Sequence, residues 1–431
     1  MRSFEFALIS AAEFTEFANK APYGNFQQTA SAAKLREHEG AQVAFIAVKE
    51  AGAVVAAALV STRKAPMATF CSIVDGPLCD LTDKELVDFF TEHLKVYAKQ
   101  QGAIHVDITP EMPYQILSAE GKPLPPDSPV VANLPAHSTE PNERALDDLK
   151  DAGFHHEGFT VGYTAVPRWR FLKDLTGLKN EKELLASYSK RTQWSVKRAL
   201  SMGVRVREIA VEELETFAKI EQQTAQRRHF AYRGAEYFRS FKNAYGEHAH
   251  FMVAEIHTEA YRASMQQRVD ELGKLVNSLE IKLNQRETTK IRRRYTEEHS
   301  NLLAAQKRLQ SAEELCTRGA VLPAAASLFV THPRETVYLF SGSVEEYKPF
   351  YASALIQHEA MLEFCVKRGV NRYNFYGIDG EFNDPEDEGR GVLEFKQGFN
   401  GYVEELMGEF MLLVHPHMYG LSQLAHKILK H

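Results

Sequence analysis

Cysteine is scarce in this chain: four in 431 residues, Cys71, Cys79, Cys316 and Cys365, with no CxxC pair. Such spacing argues against a disulfide framework or a zinc ribbon and for buried reduced thiols. Long apolar runs are missing too. No stretch reaches the roughly 18 residues a membrane-spanning helix needs. The N-terminal MRSFEFALISAAEF is broken by acids, so it is expected to open the fold as strand and helix rather than act as a signal peptide. A cytoplasmic protein is the expectation. Positive charge is not in excess either: the net charge is −6, so any polyanion site has to be a local patch. No GxxxxGKS/T phosphate loop, no GxGxxG after a strand and no GxSxG elbow occurs. No Q/RxxGxG/A turn is present, so an acyl-CoA donor is not expected. Neither cofactor nor metal is expected.

What is present suits a globular α/β chain. With 44% hydrophobic and 25% charged residues the composition is ordinary, and 431 residues exceed one core. AQVAFIAVKE and AVVAAALVST read as a strand hairpin. DKELVDFFTEHLKVYAKQQG places Leu86, Phe89, Leu94 and Tyr97 at helical spacing, with Gly102 at the C-cap. AIHVDITP is a strand, and the Pro- and Ser-rich stretch 121–142 a loop. A helix near Ala145–Ala152, a strand around Phe159–Thr164 and a basic helix ending at Gly203 follow. AASLFVTH and TVYLFSGS form paired strands, EEYKPFYASALIQHEAMLEFCVKRGV one long helix, and NRYNFYGI another strand. The order in the second half echoes the first, which predicts two similar α/β units.

Residues 261–318 break that rhythm. Met265, Val269, Leu272, Val276, Leu279 and Leu283 follow 4-3-4-3-4 spacing, and Leu302, Ala305, Leu309, Ala312 and Cys316 follow 3-4-3-4. Those are heptad seams. The segment has no Pro and one Gly, Gly273, so it is expected to form an antiparallel helical hairpin, with a coiled coil between chains as the alternative. Its distal part holds Lys282, Arg286, Lys290, Arg292, Arg293 and Arg294 against Glu287. This basic tip fits a nucleic-acid backbone or a solvated, salt-bridged face equally well.

Two further groups carry chemistry. In SKRTQWSVKRAL, Lys190 and Lys197 are seven apart, as are Arg191 and Arg198, with Trp194 a turn from both lysines. Cations around an aromatic plane suit a single-stranded nucleotide end; a surface helix with a core Trp reads the same way. Lys396 falls in the apolar run Leu393 to Phe395, close to Gly398 and Gly401. It could place a charge on an oxyanion or a phosphate, or be a snorkelling strand lysine.

The chain resembles the Fem family (FemABX) of peptidoglycan-bridge aminoacyltransferases, nearly end to end. The resemblance is carried by NFQQTASAAKLREHEG, SIVDGPLCD, TPEMPYQ, KRTQWSVKRALSMGV, VNRYNFYGIDGEF and LEFKQGFNGYVEELMGEF. The coiled-coil insertion places it with the arm-containing branch. That implies two N-acetyltransferase-like (GNAT-like) domains: residues 1–145, completed by 396–431, and 146–260 with 319–395, the arm being 261–318. It also implies transfer of Gly, Ala or Ser from an aminoacyl-tRNA to an amine of a lipid-linked or UDP-linked muropeptide. Peripheral contact with the membrane's inner face and pairing with related Fem proteins are further implications.

Residue by residue, Arg36 stands where the family has a lysine contacting precursor phosphate. Arg233 and Tyr237 match a second precursor-binding pair, and Lys396, beside Phe395, matches the lysine near the acyl-transfer centre. The resemblance makes Lys190, Arg191, Trp194, Lys197, Arg198, Arg292, Arg293 and Arg294 candidate tRNA contacts. Thr109 departs from the acid many members carry; Asp107 lies on the same strand face. An activated ester needs no dedicated base, so direct transfer without a covalent intermediate is expected. Two other readings stay open: a non-catalytic RNA-binding protein with a helical arm, and an N-acyltransferase using another small donor.

Overall fold

A computed structural model describes residues 2–65, 68–125, 128, 130, 139–228 and 231–421. Much of the 121–142 loop and residues 422–431 lie outside them. The chain begins with β1 (Phe4–Leu8), α1 (Ala11–Ala18), α2 (Ala30–His38), β2 (Gln42–Glu50), β3 (Ala53–Ala65) and β4 (Ala68–Val74). It continues through α3 (Lys84–Gln100), β5 (Ala103–Thr109), β6 (Pro113–Ser118), α4 (Glu143–Asp151), β7 (Phe154–His156) and β8 (Trp169–Asp174). Next come α5 (Glu181–Ala186), α6 (Lys190–Ser201), β9 (Val204–Glu208), α7 (Leu214–Arg228), α8 (Ala235–Tyr245) and β10 (Ala249–His257). The arm is α9 (Thr258–Gln285) and α10 (Thr289–Arg318). After it stand β11 (Val321–Thr331), β12 (Thr336–Ser343), α11 (Ala352–Phe364), β13 (Arg372–Ile378), α12 (Arg390–Gln397), β14 (Tyr402–Leu406) and β15 (Phe410–Leu413).

Two sheets organise these elements. The first runs β1-β2-β3-β4-β5-β15-β7 and the second β6-β14-β8-β13-β12-β11-β10-β9. In each, an antiparallel meander leads into one parallel pair, β4 with β5 and β12 with β13. The mixed α/β, GNAT-like fold with an inserted helical hairpin is therefore the fold expected. The sheets also exchange strands: β6 pairs with β14 in the second, while β7 and β15 pair in the first.

The arm follows its heptads. Met265, Leu272, Val276 and Leu279 on α9 and Ala305, Ala312 and Leu315 on α10 are buried, along the two helices' shared face. At 1.5 Å per residue, 28 residues reach roughly 40 Å. Thr288 caps α10 by accepting from the Ile291 N–H at 3.2 Å.

Three expected elements differ. Residues 159–164 form no strand: Gly158 and Gly162 take φ of 95° and 107°, which no extended run allows, and Phe159, Val161 and Tyr163 are exposed. The long helix 345–369 is broken into a 3-10 turn (Glu345–Phe350), α11 and a second 3-10 turn. Pro349 and the left-handed Tyr351 (φ 55°) between the first two explain the break. The segment of Lys396 is helical, as α12, rather than a strand.

Candidate functional site

Strands β12 and β13 pair over only two residues, Thr336 with Tyr373 and Val337 with Asn374. Beyond those no ladder joins them, leaving a notch between the two strands. On its β13 side the register against β8 shifts between Asn374 and Gly377, and Tyr376 holds φ at 62°. A bulky residue in the left-handed region is uncommon and costs about 1–3 kcal/mol. The Asn374 side chain helps hold it, its Oδ1 accepting from the Tyr376 N–H at 2.8 Å. Gly377 has no room for a side chain, since a Cβ would lie 2.8 Å from Pro167 Cγ.

The bulge presents two carbonyls to Lys396. Its Nζ donates to Gly377 O at 2.6 Å and Tyr376 O at 3.4 Å. Lys396 is 4% exposed, and burial pushes its ammonium down to about 7, with Asp379 only partly opposing. Asp379 is itself buried, and one of its oxygens, Oδ2, has no hydrogen-bond partner. Burial and the neighbouring Asp387 raise its carboxyl.

Beside this group lies a cavity of about 470 Å³. Its walls include Ser189 and Arg191 at the start of α6, Tyr351 and Ser353 at the start of α11, and Phe395 and Phe399. Ser189 caps α6, but α11 has no side-chain cap. The Ala354 N–H bonds back to Tyr351 O at 3.0 Å, and two helix N-termini lend the cavity positive potential. Trp194 is 54% exposed and meets Tyr351 edge-on with centroids 5.1 Å apart, so it is not the core residue its periodicity allowed. Lys190, Arg191 and Lys197 are exposed along the same helix, and Arg198 is half-buried.

Arg36 lies elsewhere, on α2. It is buried, with Nη2 donating to Gln27 O and Oε1 at 3.0 and 3.1 Å and Nη1 to Ser61 Oγ at 3.4 Å. Burial lowers its guanidinium, opposed by Tyr245 and Asp75. Helix α2 packs on α8, which carries Tyr237 among Phe238, Phe241 and Phe340. The exposed Arg233 stacks over the Tyr237 ring at 5.4 Å. Tyr376 connects the two regions: its carbonyl receives Lys396 while its ring packs on Phe26, 6.0 Å away. Arg292, Arg293 and Arg294 are exposed at the arm's tip, where Arg292 pairs with Glu287. Asp107 faces a separate cavity with Thr109 and pairs with His105 at 3.1 Å.

A buried charge cluster is the part sequence reasoning missed. Arg170 donates to Asp75 at 2.7 Å and to Glu111 at 2.5 Å, all three being at most 1% exposed. Arg334 reaches Glu111 from the second sheet's β11–β12 turn, and Arg372 ties Glu335 to Glu404. Burial opposes ionisation of Glu335, yet Arg372 and Arg334 hold it down near 2. Burial drives Glu111 the other way, up to about 8. The Arg170 guanidinium also lies 5.2 Å from the Tyr376 ring centre, so the cluster underpins the bulge. Asp75 and Glu111 stood within SIVDGP and TPEMPYQ, but nothing local marks them as partners of a residue up to 95 positions away.

Among the described residues, no three His, Cys, Asp or Glu side chains gather as metal ligands. Cys71, Cys79 and Cys365 are buried thiols and Cys316 is half-buried. No described helix is long and apolar enough to cross a membrane.

A diverging parallel pair, a buried lysine at its bulge and a cavity rimmed by helix N-termini suit acyl transfer. The FemAB family model matches residues 9–427, and the chain belongs to that family. It is 28% identical over 432 residues to aminoacyltransferase FemA of Staphylococcus epidermidis, covering 99% of this chain and 100% of the relative. Aminoacyltransferase FemA of Staphylococcus aureus strain MRSA252 is 27% identical over 433 residues, covering 98% and 99%. The crystal structure of FemX superposes with a TM-score of 0.73 at 24% identity, over 97% of this chain and 99% of that one. The chain is thus an aminoacyltransferase with the FemX fold.

Proposed function

We propose that this enzyme transfers an amino acid (Gly, Ala or Ser) from aminoacyl-tRNA to an amine of a peptidoglycan precursor, building the bridge between stem peptides. The observation that carries the reading is Lys396: a lysine held near pH 7 by burial, at a strained bulge, whose neighbour Phe395 lines the 470 Å³ cavity. The aminoacyl adenosine occupies that cavity, its phosphates meeting Arg191 and the first turns of α6 and α11. Trp194 offers a face for a base, and Lys190, Lys197 and Arg198 meet the backbone. The precursor's anionic part lies against Arg233 and Tyr237, with Arg36 shaping the α2–α8 wall. Its lipid-linked form would bring the enzyme to the membrane's inner face.

The chemistry needs no covalent intermediate. The neutral acceptor amine attacks the ester carbonyl and the C–N bond forms. The bond from that carbon to the ribose oxygen breaks, and this oxygen takes the proton the amine gives up. Lys396 as an ammonium offsets charge on the carbonyl oxygen, the kind of contribution worth about 10²–10³ in rate. Asp107 takes no part, since it faces another cavity.

Mass spectrometry of precursor incubated with the enzyme and a charged tRNA pool tests this. The product is expected to gain one residue mass of Gly, Ala or Ser at a stem or branch amine. Acyl-CoA turnover without tRNA, or tRNA binding with no transfer, would overturn the reading.

A further inference from the structure

Where the arm leaves the second sheet, three helices enclose a pocket of about 300 Å³. Helix α6 contributes Arg198, α9 Arg268 and α10 Arg308, over a floor that includes the buried Met265 and Ala305. Three guanidinium groups from three helices converge on one small space in a chain of net charge −6. Glu271 also lines it, but its contact with Arg268 is a long 3.6 Å. Among the described residues neither Arg198 nor Arg308 has a carboxylate within ion-pairing distance, although both stand near the Tyr261 hydroxyl. Three guanidinium groups against the single Glu271 carboxylate leave the pocket net positive, and an anion there relieves the repulsion.

Helix α6 ties the pocket to the transfer site. Arg191 at its start lines the 470 Å³ cavity, while Arg198 and Ser201 at its end line this one. The two ends are roughly 15 Å apart along the axis. Lys190, Trp194 and Lys197 are exposed between them. At the 3.4 Å axial spacing of a helical strand this is on the order of four to five phosphates. The tip, by contrast, already pairs Arg292 with Glu287.

We infer that the arm's root, rather than its tip, is a phosphodiester-binding site that seats the strand entering the transfer cavity. This rests on the tRNA reading above and adds Arg268 and Arg308 to it. The test is filter binding of aminoacyl-tRNA over 50–300 mM KCl. An R268Q/R308Q variant, altering two exposed helix positions, is checked for native helicity by circular dichroism. The slope of log affinity against log salt is expected to shrink by about 1.4–1.8, at 0.7–0.9 per lost phosphate contact. E271Q, which removes the pocket's negative charge, is expected to tighten binding. An R292A/R293A/R294A variant is expected to keep the wild-type slope.

An unchanged slope in the root variant, with wild type binding and transferring, overturns the site and leaves the proposed function standing. Wild type that binds no tRNA overturns both. Loss of binding to phosphatidylglycerol vesicles in the root variant, with its tRNA slope intact, assigns the pocket to lipid and likewise overturns the proposal.

Discussion

Replacing Lys396 by Met should slow transfer about 10²–10³-fold while making the protein more stable at neutral pH. The native amine sits near 7 instead of the 10.5 of a solvated lysine. Because the folded value lies below the unfolded one, the unfolded chain binds more protons between them, and stability rises with pH across that window. Near pH 6 the penalty is on the order of 4–5 kcal/mol; by pH 9 it has fallen to about 2. Met fills similar volume without the charge, but leaves the carbonyls of Tyr376 and Gly377 without their donor, at a cost of about 1–3 kcal/mol for a buried group. The net gain near pH 6 is therefore about 2 kcal/mol. Urea unfolding of both proteins at pH 6, 7, 8 and 9 measures the difference, in which the other titrating groups cancel. K396M's advantage should shrink by about 2–3 kcal/mol over that range. A difference that stays flat would mean the amine titrates in water, and the argument for a pKa-tuned lysine at the bulge would fail. In single-turnover transfer, K396M should be about 10²–10³ slower with tRNA affinity retained.

Other perturbations probe the scaffold. Arg170→Met strands Asp75 as a buried unpaired carboxylate and leaves Glu111 only its 3.4 Å contact with Arg334, and should cost about 3–5 kcal/mol in denaturant unfolding. Glu221 is buried with neither oxygen hydrogen-bonded, and burial lifts it to about 7. Its folded value lies above its unfolded one, so Glu221→Gln should stabilise by an amount that grows from pH 4.5 to 7, read from thermal melts at both pH values. Gly401→Ala would put a Cβ 2.0 Å from Leu172 O. Backbone cannot yield there, so β14 should lose its pairing with β8, and soluble yield and unfolding midpoint should both fall.

What was legible in the sequence was mostly local. The arm follows from heptads, because seam residues three and four apart share a face whatever the rest of the chain does. The β2–β3 and β11–β12 pairs follow from apolar, β-rich runs on either side of a turn. Lys396 stood out by its apolar context and then by family resemblance, but its surroundings were misread. Leu393 and Phe395 alternate like a strand, whereas in α12 it is Leu393 and Lys396, three apart, that share the buried face. Long-range features left no local trace: the Tyr376 bulge depends on β8, and the Arg170 cluster joins residues from three separate stretches. The separation of Asp107 from the Lys396 site could not be read either, since strand periodicity gives a face but not the cavity it faces.

The unfavourable features of this fold are not scattered. Among the described residues five non-glycines hold a left-handed φ, and Ala51 merely turns the β2–β3 hairpin. The other four lie around the transfer site or beneath it. Tyr376 forms the bulge, Tyr351 starts the uncapped α11, Asn400 follows α12 and gives its carbonyl to the buried Lys173, and Asp75 anchors Arg170. Lys396 and Asp379, two buried ionisable groups, fall in the same neighbourhood. Strain and burial of this kind persist only where surrounding packing over-determines them, and they tend to mark functional sites. By that measure the strain collects at the notch between β12 and β13, where the proposed transfer would take place. The arm is the opposite case: regular heptads, a capped second helix and exposed charges leave it free of such departures. On the proposed reading it holds a ligand in place and does not change one.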